Sequence, residues 1–235
     1  MIRLIRNEFT KLGFIKIIIP FVIFLIIILI EFYFNNVEYE NLFELIPYVG
    51  IVLCILFSGI ISSEIENGTF RYYLTKSSTR FKVLTSKLLT IYIYTFILYL
   101  FLFIVFSLII NSYNSNMFFK YLNYTVSTYT ILSFTFLLSI IIKNTPINLG
   151  MCIFFFIFSG LISEFFFKNS ITIIEYTLLP YFDFNIFWDL DSIKSVNELY
   201  GINLNINYAT FINIVHIVLF NFISYYTFIK KDIKN

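Results

Sequence analysis

Six long, nearly unbroken apolar runs dominate the chain, at residues 15–34, 45–63, 88–110, 124–142, 147–167 and 208–229. Each is close to the roughly 20 residues that a helix needs to cross the hydrocarbon core of a bilayer. Backbone polar groups in lipid must be paired inside the segment itself. Runs of this length are therefore read as helices, despite their richness in Ile, Val and Phe. A membrane barrel would show shorter, alternating segments instead. The expected fold is all-α integral membrane, with six transmembrane helices in one domain over residues 1–235. The first run is too long for the core of a signal peptide and lacks a small-residue cleavage site, so it is expected to stay as a span.

The polar stretches between the runs carry their own pattern. Ile2, Ile5, Phe9 and Leu12 are spaced three, four and three apart and share one helical face, with Arg3, Arg6, Asn7 and Lys11 largely on the others. This predicts an N-terminal amphipathic helix lying in the headgroup layer beside anionic lipid, with Gly13 turning the chain into the first span. Such a helix is either a docking surface for a cytoplasmic partner or an ordinary anchor. Residues 62–87 read as a loop with structure of its own. Glu64 and Glu66 stand where the second span ends, Gly68 breaks the helix, and Thr69 can cap a short new one over 70–75. Phe70, Tyr73 and Leu74 share a face of that helix, and Arg71 lies on another. Pro146 fits a tight turn opening the fifth span after Lys143, Asn144 and Thr145. Residues 168–207 hold apolar pieces too short to span, and an interfacial or re-entrant helix is expected there.

Charge then orients the chain. With the N-terminus inside, Arg3, Arg6, Lys11, Lys16, Arg71, Lys76, Arg80, Lys82, Lys87, Lys143, Lys230, Lys231 and Lys234 fall inside, thirteen of sixteen basic residues. Outside remain Lys120, Lys168 and Lys194, with Glu31, Glu38, Glu40, Glu44, Glu175, Asp183, Asp189, Asp191 and Glu198. The positive-inside rule thus favours six spans with both termini cytoplasmic. Composition agrees, because only 13% of residues are charged, about half of what a soluble domain uses to cover its surface. Cys54 and Cys152 fall in apolar runs and are expected as buried thiols.

Candidate chemistry is sparse. There is no phosphate-binding Gly-Lys loop, no metal-ligand spacing and no nucleophile–base set. The chain is expected to be non-catalytic, with no metal site, no bound cofactor and no nucleic-acid partner. Glu164, in the fifth span one turn before Lys168, is read either as an ion pair at the outer interface or as a gate. His216, Ser133, Thr135, Asn213 and Asn221 are expected to hydrogen-bond neighbouring helices.

The order Glu64, Glu66, Gly68-Thr69, Leu74, Arg80, Lys87 resembles the cytoplasmic loop of type-two ATP-binding-cassette (ABC) export permeases. The opening segment from Leu4 to Lys11 is similar to their N-terminal interface helix, and an outer Leu179-Pro180-Tyr181-Phe182 segment fits as well. The resemblance implies a permease in the bacterial cell membrane with a coupling helix between spans two and three. ATP and Mg would be bound and hydrolysed on a separate ABC ATPase, present in two copies, and the permease would pair with a second copy of itself. Ile5, Glu8, Phe9 and Leu12 would belong to the N-terminal interface helix, and Glu64, Glu66, Gly68, Thr69, Phe70, Arg71, Tyr73 and Leu74 would couple the ATPase to the membrane helices. Small size looks like the permeases of lantibiotic-immunity and phenol-soluble-modulin exporters, which implies an amphipathic or antimicrobial peptide as cargo. The alternative is an ATP-independent membrane protein: a secondary transporter, a channel, or an immunity protein that sequesters a toxin.

Overall fold

The computed structural model describes residues 1–35, 46–68, 80–110, 115–169, 194, 197–201 and 205–230. The regular elements among them are all helices: α1 (Ile2–Leu12), α2 (Phe14–Asn35), α3 (Ile46–Phe57), α4 (Ser62–Glu66), α5 (Arg80–Ile110), α6 (Ser115–Ile141), α7 (Thr145–Lys168) and α8 (Ile206–Lys230). Among the described residues, Tyr48–Glu66, Arg80–Ile109, Tyr121–Ile141 and Asn207–Lys230 are long and apolar enough to cross a membrane. α1 and Phe14–Ile30 make a fifth if taken together as one bent span. The all-helical membrane architecture expected from run length is therefore present, and four or five spans are found among the described residues.

Helix boundaries differ from the apolar runs mainly at one kind of place. α5 begins at Arg80 and α6 at Ser115, several residues ahead of the runs at 88 and 124. A helix does not end where lipid ends. The 31 residues of α5 extend about 46 Å at 1.5 Å per residue, beyond the ~30 Å hydrocarbon core. Arg80, Lys82 and Lys87 therefore belong to α5 and not to a loop. Likewise, 62–66 is helical, and the bonds Ser58 N to Cys54 O (2.8 Å) and Ser63 N to Gly59 O (3.1 Å) carry the second span through a short turn into α4. The coupling segment expected at 62–87 is shortened at both ends; residues 69–79, with its expected helix, lie outside the described residues. So do most of 168–207 and the acidic stretch around Glu38, Glu40 and Glu44.

α6 is the central helix. Within its apolar window 78% of residues are buried, against 22% for α8, and it packs on α3, α5, α7 and α8. Its sequence explains this place. Thr125, Ser127, Thr128, Thr130, Ser133, Thr135 and Ser139 are all buried. Lipid is as apolar as Leu, so helices in a membrane associate through close packing of small residues and through hydrogen bonds. Several of these hydroxyls return to their own helix, as Thr128 Oγ1 does to Tyr124 O (2.8 Å), which keeps them short and lets neighbours approach. Others reach across: Tyr99 OH and Thr128 Oγ1 are 2.6 Å apart.

Candidate functional site

Gly13 has φ 76°, a conformation that favours glycine because other residues carry a Cβ penalty there. It joins α1 to α2 with the two helices inclined at 70°. The face that α1 turns inward is not purely apolar. Ile5, Phe9 and Leu12 are half-buried, Ile2 is exposed, and the buried residue of α1 is Glu8. Ile2 thus departs from the apolar face read in the sequence.

Glu8 meets a cation that is almost wholly enclosed. Lys87, in α5, is 1% exposed. Its Nζ donates to Glu8 Oε2 (2.7 Å) and to Ile60 O (3.3 Å) and lies 2.8 Å from Glu64 Oε1. An ammonium has three N–H donors, and these three oxygens use them. Lys11 Nζ closes the cluster, 2.7 Å from Glu8 Oε1 and 2.8 Å from Glu64 Oε1. Two lysines and two glutamates make it neutral, which is the condition under which charges tolerate burial. Lys11 stands at the rim: burial works against its charge, but the hydrogen bonds it donates to Glu64 and Glu8, with their negative charges, prevail and hold its pKa above the ordinary lysine range. The cluster joins α1, the end of the second span and the start of α5.

A second set of contacts extends this end of the bundle to α7 and α8. Asn144 caps α7 by accepting from Ile147 N (3.0 Å), with Pro146 in the first turn as expected. Thr145 Oγ1 lies 3.2 Å from Ser62 Oγ and donates to Glu66 Oε2 (3.3 Å). Asn148 Nδ2 donates to Ser58 O. Arg80 Nη1 donates to Ile229 O at the end of α8 (2.9 Å), and Thr85 Oγ1 lies 3.9 Å from Met1 Sδ. Residues 1–12, 58–66, 80–87, 144–148 and 229 therefore gather at one end.

The structure brings Glu8 and Glu64 together on Lys87, places Glu66 on Thr145, and ends the 62–66 helix at Gly68, where φ is 68°. Thr69, Phe70, Arg71, Tyr73 and Leu74 lie outside the described residues. Glu164 and Lys168 form an i,i+4 pair (2.6 Å), the first of the two readings given to them. His216 is corrected: its Nδ1 contacts Ile212 O of its own helix (2.9 Å), not a neighbour. Asn213 Nδ2 likewise returns to Ala209 O (3.0 Å). Asn221 and Ser133 do bridge helices, both through the Tyr92 hydroxyl, at 2.8 and 2.6 Å. Thr135 Oγ1 approaches Cys54 Sγ (3.6 Å), and both cysteines are buried free thiols.

Sequence reasoning missed the partnership of Lys11 and Lys87 with Glu8 and Glu64. A signal existed: Lys87 has apolar residues at helical spacing on both sides, Val83, Leu84 and Ile91, and an ionisable residue at the edge of a span implies a counter-charge. Which acid would meet it was not readable, since Glu8 is 79 residues away. Among the described residues no group of three His, Cys, Asp or Glu side chains is placed to hold a metal. A family model with the description "Protein of unknown function (DUF2705)" matches residues 29–234, a region that includes Glu64 and Lys87. No curated protein matches the chain.

Proposed function

We propose that this chain, which belongs to the DUF2705 family, is the membrane subunit of an ATP-driven exporter in the bacterial cell membrane. It works as a homodimer with two copies of a cytoplasmic ABC ATPase and moves amphipathic or antimicrobial peptides outward. The observation that carries this reading is the charge cluster. Glu64 and Lys87 flank the 69–79 segment on both sides, and through Glu8 and Lys11 they tie its two roots to α1. A segment anchored this way passes force from a soluble partner to the second and third spans.

In this reading α2, α3 with α4, α5, α6, α7 and α8 are the six spans, and α1 lies in the headgroup layer. The gathering of α1, 58–66, 80–87, 144–148 and 229 at one end supports it, because an even number of crossings returns the chain to the side where it began. These are also segments where the basic residues concentrate, which supports a cytoplasmic assignment for that end. The apolar spans support a peptide cargo. An apolar cleft binds an amphipathic helix with little desolvation cost, whereas a sugar or nucleotide would leave polar groups unpaired.

Co-purification with an ABC ATPase subunit is the first test. In the reconstituted complex, changing Phe70 and Leu74 together to Asp should leave assembly intact and abolish stimulation of ATP hydrolysis by the membrane subunit. Cationic amphipathic peptides should stimulate it further, and scrambled peptides should not. Stimulation only by lipid-linked sugars would exclude the peptide cargo. Purification without any ATPase, with toxin binding retained, would instead favour the ATP-independent immunity protein.

A further inference from the structure

We infer that α1 is a hinged helix held by a charge latch, with Gly13 as the joint and the four-charge cluster as the catch. This goes beyond the exporter reading and does not depend on it. The joint is a single residue at φ 76°. A Cβ built there meets nothing within 4 Å, so the joint itself is not wedged against a neighbouring element. α1 rests chiefly on α5 and sparsely on α2. Its apolar residues Ile5, Phe9 and Leu12 are only half-buried, and no side chain caps its first turn. Apolar packing through Phe9 and Leu12 therefore supplies only part of its hold on the bundle.

The cluster has the chemistry of a reversible catch. Two contacts cross from α1 to the bundle: Glu8 to Lys87 (2.7 Å) and Lys11 to Glu64 (2.8 Å). Two others stay on one side: Glu8 to Lys11 (2.7 Å) within α1, and Glu64 to Lys87 (2.8 Å) within the bundle. All four exist together in the closed arrangement. When α1 swings away, only the crossing pairs are lost, and each half remains a neutral ion pair. A bare buried lysine would make opening prohibitive; here Lys87 retains Glu64 throughout. Because Glu64 and Lys87 sit at the two roots of the 69–79 segment, displacement of either root pulls on the catch and changes the hold on α1.

The test is cross-linking of α1 to α5. In an N-terminally tagged chain with Cys54 and Cys152 changed to Ala, cysteines replace Met1 and Thr85, whose side chains lie 3.9 Å apart. Oxidation in lipid nanodiscs should cross-link this pair. Adding Glu8→Gln removes a crossing charge while Lys87 keeps Glu64, and cross-linking should fall at least about tenfold, the loss of roughly one charge-assisted crossing hydrogen bond. The exchange Glu8→Lys with Lys87→Glu places two positive charges on α1 and two negative ones on the bundle. The crossing attraction then remains, although Ile60 O loses its donor, so cross-linking should recover to well above that of Glu8→Gln. Arg6→Gln, on the exposed side of α1, should leave it unchanged. Cross-linking unaffected by Glu8→Gln would overturn the inference, as would an exchange variant that cross-links as poorly as Glu8→Gln.

Discussion

At the scale of single residues, Lys87 and Gly59 carry the largest consequences. Lys87 is 1% exposed and hydrogen-bonded to three oxygens. Removing one partner of a buried pair costs more than the pair contributes, because a charge is left without compensation. Lys87→Met should therefore lower the stability of the purified protein by about 3–5 kcal/mol, read as a fall in the thermal midpoint in detergent, whereas Lys82→Met, at the exposed start of α5, should not. A midpoint unchanged in Lys87→Met would mean the cluster adds nothing to the fold. Gly59 makes the opposite kind of demand. A Cβ there would stand 3.0 Å from Thr145 Cγ2, so the second span and α7 touch where only a hydrogen fits comfortably. Gly59→Val should cost about 1–3 kcal/mol by overpacking. Thr145→Ser keeps the hydroxyl that contacts Ser62 and Glu66 and removes the methyl in the way. In a double-mutant cycle it should recover part of the Gly59→Val loss, and strict additivity would argue against the close approach.

At the scale of elements, α6 is held by hydroxyls as well as by apolar packing, with Ile131, Leu132, Phe136 and Ile140 buried beside them. One of its external anchors is a directed chain. Asn221 Nδ2 donates to Tyr92 OH (2.8 Å), which is 2.6 Å from Ser133 Oγ. Ser133 Oγ in turn donates to Tyr129 O (2.6 Å), so its oxygen is left to accept from Tyr92. The Tyr129 hydroxyl returns to Tyr92 O (3.0 Å), closing a loop between α5 and α6 with α8 attached. Interhelical hydrogen bonds in membranes are worth about 0.6–2 kcal/mol, because an unfolded segment in lipid finds other partners. Tyr92→Phe with Asn221→Leu should therefore show a coupling of about 1 kcal/mol, less than the effect of Lys87→Met. A coupling as large as the Lys87 loss would reverse that ranking and make the polar seam the main determinant of the bundle.

At the scale of the whole molecule, the contacts gather 1–12, 58–66, 80–87, 144–148 and 229 at one end, and the proposed reading, which follows the positive-inside rule, puts that end in the cytoplasm. In the background lacking Cys54 and Cys152, cysteines replacing Glu40 and Asn197 should react with an impermeant thiol reagent added outside intact cells. Cysteines replacing Ser78 and Lys234 should stay unreactive until the membrane is opened. Labelling of the Ser78 position from outside would invert the topology and remove the basis for a cytoplasmic partner at 69–79.

Much of this architecture is written in one dimension. Apolar run length fixed that the chain is helical and membrane-spanning, since lipid requires internal backbone pairing and the cost of an unpaired amide outweighs local propensity. Turn chemistry was equally local: Gly13 and Gly68 occupy the positive-φ positions expected of them, and Asn144 with Pro146 opens α7. The charge cluster was not legible, because it depends on which acid comes to lie beside which base after the helices pack. Glu8 and Lys87 are 79 residues apart, and Lys11 and Glu64 are 53 apart; periodicity describes one helix and is silent about its neighbour. For the same reason His216 and Asn213, which look from the sequence like interhelical donors, settle on their own carbonyls. Partition into lipid is a property of each segment and can be read segment by segment, whereas the pairing of buried charges is a property of the assembled bundle.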